Sequence, residues 1–590
     1  MDYSKVINEL HNPVTNPQRS GKDLSHRKVF TMKCGELLPV LCKELVPKDY
    51  VEVDIASLVR TLQPLNTAAF MRSKIHFDFF FVPMTSIWRN FDKFYYQRDD
   101  NYTSLTYGSA YEPNIKLMDL CGFCFQGASS SPVDSQGARY KLANLLGYGN
   151  WIDYSAGTYI SDADFASGQP YYDLRDKSLT ALPYFAYQRI YNMHYRDAWL
   201  DQPGSSDVKS MSADYMVCQA YASSLVNPYP VGIGIDNNPE LCKMRYHRYA
   251  RDLFMGLLPS QQFGSVSTIT SSLSLNISSN GVPSSGQPNN ILGVDNPSGT
   301  VMISRGHLDS SNNFVSDSNF PSFGSTTFDV ITLRKAIAAQ KWKEYNARAG
   351  WKSGKQAKAM FGVDIPDDRR HDVEFIDGYQ FPIMVDEVVA TAQTDYTQSG
   401  NTKLANLGEL AGKVIGVGNG HKIKFSSGER FGYFMCIAYI LPQAEYNSFG
   451  IDKQLVRSVP EDHYMPAYQN LGMEPVFKYE LNAQGATNVF NSTLGYAPRY
   501  HEYKTEYDKV YGEFSTGGTL QSWVTVRRDL QNAINSGSIP KSLLYVNPFI
   551  LDTVFIAAAD ASQETDQFMC NCNFDLKMVR PMSDLGLPTL

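Results

Sequence analysis

The strongest constraint in this sequence is a two-residue period of apolar side chains, repeated in short stretches near both ends of the chain. Val51, Val53 and Ile55 alternate with Glu52 and Asp54, while Cys572, Phe574, Leu576 and Met578 alternate with Asn573, Asp575 and Lys577. Successive side chains of a strand point to opposite faces. Each stretch therefore predicts a strand with one face on a core and one in water. Residues 75–82 (Ile-His-Phe-Asp-Phe-Phe-Phe-Val) begin as an alternation and end apolar on both faces, which fits a strand entering a sandwich or a subunit contact. Residues 431–441 are apolar almost throughout and are closed by Pro442. They predict a buried strand or a short buried helix, which length alone does not separate.

The strand-like stretches fall within 28–82 and 380–580, with Gly-, Tyr- and Asp-rich irregular sequence between them. For 590 residues, a size of about 150 residues per domain suggests three or four domains. No period of roughly 20–50 residues repeats, which disfavours a solenoid or propeller. Long insertions between the strands of one sheet pair fit better than a string of small domains. The 37 Tyr and 32 Phe suit pleated, half-buried surfaces.

Charge and cysteine usage narrow the function classes. The 53 bases against 60 acids give a net charge of −7, which argues against a protein that coats duplex DNA but leaves room for a local basic face. Nine cysteines, an odd number, do not make a disulfide framework and point to a reducing compartment. The longest apolar run, 433–441, is about half a membrane span, so no membrane insertion is expected. The first residues, Met1-Asp2-Tyr3-Ser4-Lys5, lack the apolar segment of a secretory signal.

One segment stands apart. Residues 261–328 contain 17 Ser, no Lys and a single Arg, Arg305. Such a composition suits a flexible surface loop. Yet Leu273, Leu275 and Ile277, and then Val301 and Ile303, alternate with polar residues as thin strands of a surface protrusion would. The next segment, 331–348, predicts a helix capped by Asp329 or Thr332. Residues 331–358 carry eight Lys/Arg and one acid, Glu344, and an acidic stretch with Asp364, Asp367, Asp368, Asp372 and Glu374 follows.

No catalytic constellation is visible. Cys121-Gly122-Phe123-Cys124 lacks the βαβ surroundings of a redox pair. Zinc needs about four ligands, and Cys570 and Cys572 have the spacing of one strand face. Gly416-Val417-Gly418-Asn419-Gly420 precedes an alternating strand rather than a helix, so a hairpin turn is predicted, not a phosphate loop. Gly354-Lys355 is followed by Gln356 and is no Walker motif. The ten His are scattered, and none clusters with Cys or carboxylates at ligand spacing. Nothing assembles a nucleophile, a base and an orienting group, and no cofactor is expected.

An ordered series of motifs resembles the major capsid proteins of the Microviridae, small single-stranded DNA phages, and their gokushovirus-like branch in particular. The series begins with Leu24-Ser25-His26, Gly35-Glu36-Leu37-Leu38-Pro39-Val40 and Glu44-Leu45-Val46-Pro47-Lys48-Asp49. It continues through Phe77-Asp78-Phe79-Phe80-Phe81-Val82-Pro83, Leu182-Pro183-Tyr184-Phe185-Ala186-Tyr187 and Arg251-Asp252-Leu253-Phe254. Phe361-Gly362-Val363, Pro466-Ala467-Tyr468, Gly495-Tyr496-Ala497-Pro498-Arg499-Tyr500 and Arg580-Pro581-Met582 complete it. The stretches 373–378 and 501–510 depart from the pattern, as in a divergent lineage.

The resemblance implies an all-β fold, an eight-stranded antiparallel jelly roll of the viral β-sandwich kind, with long, partly helical inter-strand insertions. Residues 1–590 would form one such domain, with an N-terminal arm at 1–30 and the insertion 265–327 as a surface protrusion used in host attachment. About sixty copies would build a T=1-like icosahedral shell around circular single-stranded DNA. Partners would be other copies of the chain, the DNA genome, a small basic DNA-packaging protein, a DNA-pilot protein and a bacterial surface receptor. Assembly would take place in the host cytoplasm, and the product would be the virion. Tyr and Phe in the insertions would anchor contacts between subunits.

Candidates for holding DNA by charge are Arg19, Lys22, Arg27 and Lys28 in the arm, and Lys341, Lys343, Arg348 and Lys352 in the basic stretch, with Trp342, Tyr345 and Trp351 nearby for stacking. These bases would otherwise face solvent or pair with the acidic stretch after Phe361. Two other function classes are a non-capsid jelly-roll module that binds carbohydrate and a Cys-x-x-Cys redox enzyme. Particle size separates all three, because only a shell subunit sediments as particles.

Overall fold

The alternating stretches at 51–55, 75–82 and 572–578 are strands, and so is the apolar run at 431–441. The computed structural model describes residues 19–61, 65, 67, 69–89, 91–96, 113–126, 134–153, 157–175, 177–197, 199–214, 239–262, 291–295, 302–308, 314–316, 330–350, 352–363, 372–389, 394–398, 401–405, 410–484, 490–533, 541–551, 554 and 566–582. Two compact units are found, residues 1–261 with 348–590, and residues 262–347.

The first unit is built on a ten-stranded sheet. Its strands are β1 (Ser20–Asp23), β2 (His26–Met32), β3 (Leu38–Leu45), β4 (Tyr50–Thr61), β5 (Ser73–Pro83), β6 (Glu374–Val389), β7 (Leu410–Asn419), β8 (Ile423–Ser426), β9 (Gly432–Pro442) and β10 (Phe568–Arg580). The pairing order is β1-β10-β4-β7-β6-β5-β9-β3, with β2 also on β10 and β8 also on β4. Every one of these pairs is antiparallel. The sheet turns a corner at β6, whose residues 374–383 pair with β5 while 384–389 pair with β7. Long strands that pass from one sheet half to another in this way make the corners of sandwiches. The sheet also curls, since Arg580 Nη2 on β10 donates to the Glu44 carbonyl on β3 at 2.6 Å, although the two strands lie near opposite ends of the pairing order.

Burial follows the period of two. Val51, Val53, Ile55 and Val59 of β4 are fully buried, as are Cys572 and Leu576 of β10. On β5, Ile75, Phe77, Phe79 and Phe81 point into the sheet core, where Phe79 lies 5.6 Å from Phe434 and Phe81 lies 5.0 Å from Phe425, ring to ring. The opposite side is also covered, with Phe80 meeting Tyr195 edge-on at 5.7 Å and Phe375 at 5.5 Å. The two-sided apolar end of β5 thus serves an intrachain layer.

That layer is the insertion after β5, which carries the helices α1 (Leu117–Gln126), α2 (Gln136–Leu146) and α3 (Leu182–Ile190). Tyr140, Tyr184 and Tyr187 on these helices are buried within the chain itself. Much of the aromatic load expected at subunit contacts is therefore core. Burying such a side chain is worth about 1.5–3 kcal/mol. Cys121 and Cys124 lie inside α1 rather than at its start, and both are buried. Burial pushes the Cys121 thiol up to about 12. The pair has neither the position nor the acidity of a redox motif.

The glycines at 416–420 correct the expected hairpin turn. Gly416 and Gly418 lie within β7, and only residues 420–422 connect β7 to β8. A Cβ on Gly418 would fall 2.1–2.5 Å from carbons of the Phe381 ring. The strand lacks side chains there because aromatic rings lie against its backbone. Replacing Gly418 by valine is expected to cost about 1–3 kcal/mol through overpacking, read as a lower urea midpoint of the full chain.

The second unit has a three-stranded antiparallel sheet (Ile291–Asp295, Met302–Leu308, Phe314–Ser316) and most of the helix α4 (Val330–Ala349). The expected helix at 331–348 is present, with Thr332 inside its first turn rather than before it. The alternation at 273–277 and Asp329 lie outside the described residues. Among the described residues, no helix is long and apolar enough to cross a membrane.

Candidate nucleic-acid interface

Cations from two distant segments converge on one carboxylate. A π-helical turn, Tyr191–Tyr195, extends α3 and delivers Asp197 and Trp199. Asp197 Oδ1 accepts hydrogen bonds from the backbone N–H groups of Trp199 (2.8 Å) and Leu200 (2.9 Å). Its Oδ2 faces Arg248 Nη1 at 2.8 Å and Arg251 Nη2 at 3.2 Å. The Arg251 guanidinium lies over the Trp199 indole, 3.4 Å from its centroid, and Lys355 Nζ is 5.7 Å from that centroid. Trp199 Nε1 donates to the Arg348 carbonyl, and Lys352 Nζ donates to the Met193 carbonyl.

Lys352 and Lys355 reach this place because the helix α5 (Ser353–Phe361) begins there. Lys352 is its N-cap residue and makes no side-chain cap, and no acid lies in the first turn. A helix start carries partial positive charge, so lysines there repel it. Among the described residues, the result is four basic side chains around one carboxylate. Burial, then Lys355 and Arg248, push the Lys352 ammonium down to about 7. Burial, then Arg251 and Arg248, lower Lys355 as well. Burial opposes the charge of Asp197, but the Leu200 and Trp199 N–H groups and the two arginines outweigh it and hold its carboxyl below the usual range.

The sequence candidates are dispersed. Arg348 contributes its carbonyl and Lys352 its ammonium to the cluster. Lys341 and Lys343 lie on α4 in the second unit, beside exposed Trp342 and Tyr345. Trp351 lies outside the described residues. Arg19 donates to the Lys48 carbonyl, Lys22 lies on β1, and Arg27 Nε donates to Asn571 Oδ1 at 2.7 Å. Burial, then Lys43, lowers the Lys28 ammonium. Arg27, Lys28, Lys33 and Lys141 line a cavity of about 830 Å³ beside β2, where Lys141 pairs with Glu36 at 3.0 Å and Asp566 at 2.6 Å. The described acids after Phe361 pair elsewhere, Asp372 with Arg189 at 2.8 Å and Glu374 with Arg430 at 3.0 Å. Arg248 and Trp199 carried no local signal, and Lys355 stood only as one base of the 331–358 stretch, because only folding places the three together.

A second charged network was equally invisible in the sequence. His501 Nδ1 lies 2.7 Å from Glu474 Oε1, and its Nε2 lies 2.8 Å from Glu480 Oε2. A neutral imidazole donates from one nitrogen only, so the ring donates to both carboxylates only as an imidazolium. Lys453 Nζ is 2.7 Å from Glu474 Oε1 and 3.7 Å from Glu502 Oε2, and Arg457 Nη2 is 3.9 Å from Glu502 Oε1. The ligand atoms of Glu474, His501 and Glu502 fall within 4.8 Å of one another. Lys453 already faces two of these carboxylates, so ion pairing explains the convergence without a metal.

The sequence profile of a family described as "Capsid protein (F protein)" matches residues 12–114 and 170–590. The chain is similar to the capsid protein VP1 of Chlamydia phage 1, 25% identical over 98% of this chain and 96% of that one. It is also similar to VP1 of Bdellovibrio phage phiMH2K, 24% identical over 98% and 96%. VP1 of Spiroplasma virus 4 is 22% identical over 84% and 82%. A curled antiparallel sheet with long insertions, matched across most of its length to virion structural proteins, leaves one assignment: the chain belongs to the capsid protein (F protein) family of the Microviridae, whose members are structural and not enzymes.

Proposed function

We propose that this chain is the shell-forming subunit of a small icosahedral phage, about sixty copies enclosing circular single-stranded DNA in a T=1-like capsid. The observation that carries the reading is the extent of the family match, which covers the sheet strands at both ends of the chain. The sheet is read as a jelly roll, with β10, β4 and β7 in one half, β5, β9 and β3 in the other, and β6 shared between them. In this reading residues 1–590 form a single domain with insertions. The arm at 1–30 includes β1 and most of β2, and 265–327 is a protrusion that meets a bacterial receptor. Its three-stranded sheet and its near lack of basic residues support an outward position, away from DNA. Contacts between copies have material to work with, since Leu455, Leu471 and Tyr511 are 78%, 64% and 63% exposed.

The eight candidate bases, Arg19, Lys22, Arg27, Lys28, Lys341, Lys343, Arg348 and Lys352, serve as DNA contacts in this reading, helped by a small basic packaging protein because the net charge is −7. A DNA-pilot protein completes the particle, which assembles in the host cytoplasm. Electron microscopy of the expressed full-length chain tests the proposal. Closed particles tens of nanometres across are expected, and only small oligomers under all assembly conditions would refute it.

A further inference from the structure

We infer that the cluster of Arg248, Arg251, Lys352 and Lys355 around Trp199 is a phosphate-binding site for the backbone of single-stranded DNA. The inference rests on the proposed enclosure of DNA and adds Arg248, Arg251, Lys355 and Trp199 to the residues that contact it. The charge balance comes first. Among the described residues, one carboxylate, Asp197, faces two arginines, and two lysines adjoin them. Asp197 is fully engaged, with Oδ1 on two backbone N–H groups and Oδ2 on both arginines. Like charges at this density repel, and a bound anion removes the repulsion.

The second argument is geometric. The Trp199 indole, tied by its N–H to the Arg348 carbonyl, holds the Arg251 guanidinium over its ring, 3.4 Å from the centroid. A guanidinium already held in place loses little entropy when it grips phosphate oxygens. The nine-residue helix α5 starts at the same place with no side-chain cap and no acid in its first turn, so its dipole favours the same charge. Basic residues at a planar aromatic ring are the usual equipment of sequence-independent single-strand binding. Among the described residues, Lys352 faces Lys355, Arg248, Asp197 and Arg251 and donates to the Met193 carbonyl. A phosphate arriving among them returns Lys352 to the charged state, so binding takes up a proton above about pH 7.

The test uses the purified full-length chain and a fluorescein-labelled oligothymidylate, titrated over a range of salt concentrations, with inorganic phosphate as competitor. The double variant Arg251→Gln/Lys355→Gln is expected to bind about ten-fold more weakly, and the slope of log affinity against log salt should fall by about 1.4 for two lost contacts. Arg251→Lys/Lys355→Arg keeps the charge and should retain most of the slope. Lys352→Gln should flatten the decline in affinity between about pH 6 and about pH 8, on either side of about 7. Single Lys355→Gln, at the exposed rim, serves if the double variant does not fold. Unchanged affinity and slope in the variants would overturn the site while leaving the shell proposal intact. Complete competition by millimolar phosphate would overturn the DNA assignment in favour of a free-anion site. Failure of the wild-type chain to bind the oligothymidylate at any salt concentration would instead refute the enclosure reading itself.

Discussion

Replacing His501 by alanine is expected to destabilise the folded chain by about 3–5 kcal/mol, because it strands buried carboxylates without their counter-charge. Glu480 and Glu474 each lose a charged donor at 2.8 and 2.7 Å. Lys453 remains for Glu474, but no other described cation lies within ion-pair distance of Glu480. The effect is pH-dependent with a definite sign. Burial opposes the His501 charge, but its hydrogen bonds to Glu474 and Glu480 outweigh it, so the folded pKa is raised above the ordinary 6.5. Its stabilisation is full below about pH 6.5 and is lost as pH rises through the raised value. Glu474 behaves in the opposite way. Burial works against its charge, but His501 and Lys453 hold it down at about 2, so its stabilisation is full above 4.5 and is lost as pH falls toward about 2. Urea unfolding across this range should show the stability difference between wild type and the alanine variant largest between about pH 4.5 and 6.5, the interval these two values bound. The difference should shrink above pH 6.5 as His501 loses its proton. Equal wild-type and variant stabilities at pH 6 would show that the imidazolium does not hold this network together.

Excising residues 268–325 and joining the ends with a short Gly/Ser linker is expected to leave assembled, DNA-filled particles that no longer adsorb to the host. Ser, Asn and Gly bury too little apolar area to found a core, and this segment falls within a unit separate from the ten-stranded sheet. The sheet core is made by residues on either side, such as Val53, Phe79, Ile437 and Phe574. Loss of assembly with soluble subunits would make the segment part of the shell contacts. Unchanged adsorption would remove the proposed receptor role.

The strand frame was legible because strand burial has a local signature. Val51, Val53 and Ile55 are buried where their alternation predicts, and so are Cys572, Phe574, Leu576 and Met578. The run at 431–441 left helix and strand open, and pairing with β5 and β3 on its two sides makes it a central strand. Helix α4 was legible from its good helix formers. The glycines at 416–420 misled because a glycine marks either a turn or a close approach, and the rings of Phe381 and Tyr379, some 40 residues away, decide for the latter. The two-sided apolar end of β5 fits a sandwich or a subunit contact by sequence alone, and Tyr195 and Phe375 of the same chain cover it.

Charge chemistry was the least legible part. Arg251 stood in a motif that resembles the family, yet nothing local linked it to Trp199 or Lys355. His501 and Glu474 are separated by 27 residues and meet only because a two-stranded ladder, Met473–Phe477 with Thr493–Pro498, brings them side by side. Periodicity along a chain reports which face of an element is buried, since burial acts on neighbours a fixed number of residues apart. An electrostatic site depends on distances between segments unrelated in sequence, and those distances exist only after the strands have paired and the insertions have packed on them.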